Sequence, residues 1–201
     1  MATTHALAGI LLGGAVAVVV PEFAAVAFAA GALGGAAPDL DLPRDHRRTL
    51  HFPVYSTLAA ALVAPVALFA PGPVTVGVAV FTLAVACHGL MDALGGSLEH
   101  RPWEATTEKA VFSHYHGRWL RARRWVRYDG APEDAALAVG LAVPAAFVFP
   151  DRVPILAALV ALSVGYALVR RRLVAVGEWL VARLPARLLG VVPDDLLGDY
   201  V

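Results

Sequence analysis

Two short stretches of the chain hold the residue types that metal-dependent chemistry needs. The first is PDLDLPRDHRRTLH (residues 38–51), which carries Asp39, Asp41, Asp45, His46 and His51. In an extended segment Asp39 and Asp41 point the same way, and two carboxylates facing together repel unless a cation lies between them. His46 and His51 add neutral imidazoles, the commonest metal ligands. A mixed carboxylate and imidazole set suits zinc, manganese or iron(II) and is too nitrogen-rich for calcium. The second stretch is HGLMD, in which His88 and Asp92 stand four residues apart. On a helix that spacing places both on one face, about 6 Å apart. The bland alternatives are a solvated loop of arginine–aspartate pairs and a His–Asp pair that ties helices together.

Further residues join these by position. His5 opens the first apolar run, and His114 and His116 lie in FSHYHGRW. The candidate metal ligands are therefore His5, Asp39, Asp41, His46, His51, His88 and Asp92. Seven donors exceed what one tetrahedral zinc uses, which leaves room for one or two ions. Asp41 and His116 are the candidate catalytic groups, with His114 and His116 reading equally well as interfacial histidines. Asp45 is a candidate partner behind a ligand. Cys87 reads as a packing residue, and as the lone cysteine it has no intrachain disulfide partner.

The elements that must position these residues are apolar. The chain of 201 residues is 59% hydrophobic and only 16% charged, with a mean hydropathy of +0.67. Soluble domains carry roughly 25% charged residues. Charge-poor runs recur at 5–20, 22–37, 54–70, 73–94, 135–150 and 154–169. Their recurrence favours an all-α polytopic membrane bundle of about six crossings over an alanine-rich soluble helical protein. A crossing needs about 20 residues, with a floor near 17, and the first two runs are the marginal pair. Residues 95–134 form a mixed-charge segment outside the membrane. Residues 170–190 read as a separate interfacial helix that opens a C-terminal tail, 170–201. MATTHALAG has no basic residue before its apolar run, which argues against a cleaved signal peptide.

Small residues and prolines shape the bundle. Gly9 and Gly13 in the first run, and Gly31 and Gly35 in the second, have the spacing that lets helix backbones approach closely in lipid. Pairing them makes a tight hairpin around Pro21 and Glu22 that brings His5 beside Asp39 and Asp41. Pro38 ends the second helix, Pro43 keeps the next residues extended, Pro65 kinks the third crossing, and APGPV (70–74) is a short turn.

Six crossings put both termini and three basic segments on one side. Those parts carry fifteen of the sixteen Lys and Arg residues, including Arg44 and Arg187, and only Arg152 lies opposite. The positive-inside bias makes that side cytoplasmic. The seven histidines fall on the same side, although they played no part in building the topology. Arginines and aromatic residues share residues 118–127, which suits phospholipid headgroups. No nucleic-acid fold surrounds them, and no phosphate-binding glycine loop is present.

Together these motifs resemble the small inner-membrane metal-dependent hydrolases of the YdjM type. In that family a histidine begins the first helix, here His5. A PD-x-D element ends the second, here Pro38 to Asp41. An HR-x3-H element follows, here His46, Arg47 and His51, and a later helix carries H-x3-D, here His88 and Asp92. The match covers about residues 1–100. It departs where Arg48 replaces a glycine, where Thr49 stands one position early, so that Leu50 precedes His51, and where Phe52 replaces a serine. The second half, with RPWE and HYHGRW, looks like the version of the family found in halophilic archaea. A shorter likeness is to the zinc-dependent phospholipases C.

The resemblance implies hydrolysis. With the membrane setting, it makes the expected reaction cleavage of a phosphoester in a lipid or lipid-linked substrate, with the arginines of 118–127 holding the anionic group. The alternative from another class is a non-catalytic membrane protein whose metal or His–Asp cluster is structural. Transport is disfavoured, since the outer half of every crossing lacks acids and histidines. The residues do not define an oligomeric state.

Overall fold

The computed structural model describes residues 1–41 and 45–185. Pro43, Arg44, Arg187 and the rest of the expected tail beyond 185 lie outside the described residues.

Six α-helices occupy the six apolar runs: α1 (Ala2–Val19), α2 (Ala24–Ala36), α3 (Pro53–Phe69), α4 (Pro73–Leu94), α5 (Pro132–Val148) and α6 (Val153–Val181). Proline opens α3, α4 and α5. Its missing N–H costs nothing in a first helical turn, where that donor has no intrahelical partner. A 3-10 turn at Pro21–Phe23 joins α1 to α2, and another at Ala37–Asp41 carries α2 onward to the first carboxylates. Pro65 lies inside α3, and the helix runs on through it to Phe69.

Among the described residues four segments are long and apolar enough to cross a membrane: α1, Pro21–Asp41, α4 and Pro150–Val181. The segments that fall short are α3 and α5, at 17 residues each, whereas both of the first two runs, expected to be marginal, qualify, although helix α2 itself has only 13 residues. The 3-10 turns at both ends of α2 supply the length that the apolar run alone lacks.

The α1–α2 hairpin forms as the glycine spacing predicts. A Cβ on Gly9 would strike the Gly31 carbonyl, and one on Gly31 would strike the Gly9 carbonyl. Gly35 is likewise pressed against the His5 backbone. Only glycine permits this approach, and it seats His5 beside the end of α2. Away from the hairpin, α1 packs on α5 through Leu7, Ile10, Ala138 and Ala145, with the Phe28 and Phe149 rings edge to face at 5.1 Å.

Two departures from the expected architecture stand out. The segment 95–131 is not plain loop, because it folds into a hairpin of β1 (Lys109–Ser113) and antiparallel β2 (Arg118–Arg121). Gly117 takes the left-handed conformation in its turn, with φ at 62°. The hairpin docks on the loop that follows the second run. The Phe112 amide donates to the Arg47 carbonyl at 2.9 Å, and His114 Nε2 donates to the Arg48 carbonyl at 2.7 Å.

The second departure is the interfacial helix. Residues 170–181 continue α6 without a break. At ~1.5 Å per residue the 29-residue helix is about 44 Å long, against a hydrocarbon core of about 30 Å. No proline stands between Arg170 and Val181, and the turns there find partners. Arg101 makes a bidentate pair with Glu178, 2.7 Å on each arm, and the Arg171 guanidinium lies 5.2 Å from the Trp103 ring centre.

Candidate metal centre

Four chain segments converge at one end of the bundle. The first turns of α1 bring His5, the 3-10 turn after α2 brings Asp39 and Asp41, and the last turns of α4 bring His88 and Asp92. The loop entering α3 adds His46, Arg47 and His51. His5, His51, His88 and Asp92 are almost wholly buried, and Asp39 keeps 13% side-chain exposure.

Asp41 organises the loop. Its Oδ1 accepts from His46 Nδ1 at 2.8 Å, and its Oδ2 accepts from His51 Nδ1 at 2.9 Å and from the Leu50 amide at 3.1 Å. Both oxygens are therefore engaged with neighbours. His88 Nδ1 donates to the Gly35 carbonyl at 2.7 Å. These partners assign the tautomers. His51 and His88 each carry a proton on Nδ1, so in the neutral form each presents an Nε2 lone pair.

The two lone pairs face each other. His51 Nε2 and His88 Nε2 are 3.0 Å apart. Around them stand Asp92 Oδ2, 3.1 Å from His51 Nε2 and 3.3 Å from His88 Nε2, and Asp39 Oδ1, 3.8 and 3.5 Å from the same two atoms. His5 completes the group, with Nδ1 3.6 Å from Asp39 and Nε2 3.7 Å from Asp92. Neither ring nitrogen of His5 and neither carboxylate oxygen of Asp92 has a hydrogen bond of proper geometry. Such orphaned buried polar atoms are costly without a partner.

A cation between them could take one ring nitrogen of His5 and a carboxylate oxygen of Asp92, with one donor atom from each residue. Neighbouring ligands bonded at about 2.0–2.2 Å to one ion stand about 3.0–3.5 Å apart, and the donor atoms here are separated by 3.0 to 3.8 Å. Two overlapping donor groups could each hold a metal ion: His5, His88 and Asp92, and Asp39, His51 and His88. Nitrogen and carboxylate donors in this ratio fit zinc, manganese or iron(II).

Of the seven expected ligands, the structure brings five together. Asp41 sits behind His51, as an orienting carboxylate, because its oxygens are already taken. His46 is held by Asp41 at the rim, and neither of the two donor groups includes it. Partial burial lowers the His46 pKa against the pull of the Asp41 carboxylate, so its imidazole is neutral at pH 7. His116, the other candidate catalytic group, is not brought to the cluster. It is exposed in the hairpin turn, with Nδ1 2.8 Å from Ser113 Oγ. His114 is occupied by the Arg48 carbonyl and stacks on Phe52 at 4.6 Å. Among the described residues Asp45 pairs with Arg48, at 3.8 Å on the surface.

One residue at the site had no assigned role from sequence. Arg47 is buried with φ at 60°. It donates to the Gly96 carbonyl at 2.8 Å, and its second terminal nitrogen lies 3.5 Å from Asp92 Oδ1. Its place between two histidines in HR-x3-H was the available signal, but nothing in that pattern reveals burial. Behind the cluster Thr4 donates to Asp134 at 2.6 Å, which ties the start of α1 to α5.

No protein-family model, no curated protein and no solved structure matches the chain.

Proposed function

We propose that this chain is a membrane-embedded, metal-dependent hydrolase acting on a phosphoester of a lipid or lipid-linked substrate. The observation that carries the reading is the pair of Nε2 lone pairs 3.0 Å apart, ringed by two carboxylates and a third imidazole. His5, Asp39, His51, His88 and Asp92 would hold one or two ions, zinc first. A bound ion would supply a water of lowered pKa and polarise a phosphoryl oxygen.

The chain's own residues do the rest. Asp41 fixes the His51 tautomer and ring plane. Arg47 balances the charge of Asp92 from the protein side. Asp39 is the part of the cluster that bulk solvent reaches, so a phosphoryl group approaches there. Leu40, Leu50 and Phe52, all exposed apolar residues, flank the ligands in sequence, and such a rim suits a substrate presented by a lipid surface. We place all six helices across the membrane, with the cluster and both termini on the cytoplasmic side, where fifteen of the sixteen Lys and Arg residues then fall.

A structural metal site is the second reading. Structural zinc sites are closed and four-coordinate. Five converging donors, one of them partly open to solvent, favour the catalytic reading. The test is turnover of a panel of phosphoester lipids by protein reconstituted in liposomes with zinc or manganese. Release of phosphate or headgroup by wild type, lost in Asp39→Asn and His51→Gln, is the expected result. A metal-loaded protein that turns over no phosphoester would refute hydrolysis and leave the structural role.

A further inference from the structure

The arginines of 118–127 were expected to hold the substrate's anionic group and were also read as suiting phospholipid headgroups; the position of Arg118, Arg121 and Arg123 argues against the first role. Arg118, Arg121 and Arg123 line a cleft of about 450 Å³ whose floor is Leu90, Ala93 and Leu94 of α4. At about 100° per residue, those three α4 positions point on average roughly 170° away from the mean direction of His88 and Asp92. The helix itself therefore stands between the cleft and the metal cluster. Leu90 is 58% exposed, whereas His88 and Asp92 are buried. A phosphate held by these arginines could not reach the cluster.

The cleft is a built feature of the fold. The Arg123 amide donates to the Ala93 carbonyl at 3.2 Å, and Trp125 donates to Leu94 at 2.9 Å. These bonds clamp the segment that follows β2 onto the end of α4. Arg121 pairs with Glu108 at 2.6 Å. Arg118 and Arg123 are exposed and make no ion pair among the described residues. Trp119 lines the same cleft, with Lys109 5.9 Å from its ring centre. The cleft thus joins an apolar floor, on the face of the helix that leaves the bilayer, to basic walls with an aromatic edge.

The geometry points to a structural site for an anionic glycerophospholipid in this cleft, separate from the metal centre. Arg118 and Arg123 would take the phosphate, for which guanidinium is the best-matched side chain. Leu90, Leu94 and Trp119 would take the glycerol and first methylenes. The site depends on the membrane placement and not on the metal or on hydrolysis.

Native mass spectrometry of the full chain in detergent, titrated with phosphatidylglycerol or phosphatidylcholine, tests this without any turnover. Wild type should retain one phosphatidylglycerol with clear preference over phosphatidylcholine. Arg118→Gln with Arg123→Gln should weaken that affinity about thirtyfold, about a factor of five for each surface arginine. Its metal content should not change. A control with the same loss of charge elsewhere, Arg172→Gln with Arg183→Gln, should have much less effect. No headgroup preference in wild type, or equal weakening by the control pair, would overturn the site. Loss of metal together with lipid would overturn its separation from the cluster.

Discussion

Asp41→Asn separates a residue that binds metal from one that orients a ligand. In the structure both Asp41 oxygens accept hydrogen bonds, from His46 Nδ1 at 2.8 Å and from His51 Nδ1 at 2.9 Å, with the Leu50 amide adding a third at 3.1 Å. Asparagine keeps the shape but replaces one acceptor oxygen with an NH2 donor. That donor must then face the Nδ1–H of His46 or of His51. If His51 yields, its proton moves to Nε2 and the lone pair 3.0 Å from His88 is lost. Carboxylates behind a metal-binding histidine are typically worth about 10–100-fold in metal affinity, or about 1.4–2.7 kcal/mol. Asp41→Asn should therefore weaken zinc binding by that amount, whereas Asp92→Ala should abolish it. The assay is competition for zinc against a chromogenic chelator, using metal-stripped protein in detergent. Unchanged affinity would refute the orienting role. A loss as deep as that of Asp92→Ala would make Asp41 a direct ligand.

Other outcomes follow from the same geometry. Arg47→Met should destabilise the metal-free protein by about 3–5 kcal/mol in thermal or denaturant unfolding, because Asp92 loses its buried counter-charge. Gly31→Leu should cost about 1–3 kcal/mol or more and lower metal content as well, since a side chain there strikes the Gly9 backbone and drives His5 from Asp39. His116→Ala should leave metal content and turnover as in wild type, its ring being held by Ser113 in the hairpin turn. A chelator should lower the unfolding temperature, since an ion at 100 times its dissociation constant adds about 2.7 kcal/mol of stability.

Much of the bundle was legible because its helices are long apolar runs nearly free of charge. The six runs mark the six helices, and the glycine pairs at 9 and 31 foretold which helices touch and that His5 would meet Asp39. The i, i+4 spacing of His88 and Asp92 was likewise readable, since helical geometry alone sets it. The roles of Asp41 and His46 were not readable. They depend on how the loop before α3 doubles back, with Arg47 in a left-handed conformation, and no periodic pattern encodes that. KAVFS and RWLR are too short to show a strand period among the surrounding charges. The length of α6 was missed because RRR resembles the end of a crossing. In the structure it marks where a continuous helix meets Trp103, with Glu178 two turns further on pairing with Arg101.

The metal centre itself is tested most directly by elemental mass spectrometry of the detergent-purified protein, wild type beside His88→Ala. His88 belongs to both donor groups, so its loss disables each of them. One or two zinc, manganese or iron ions per chain in wild type, and none in the variant, is the expected result. A wild-type protein that holds no metal after incubation with zinc and manganese would contradict it, and would leave the five side chains as a polar knot between helices.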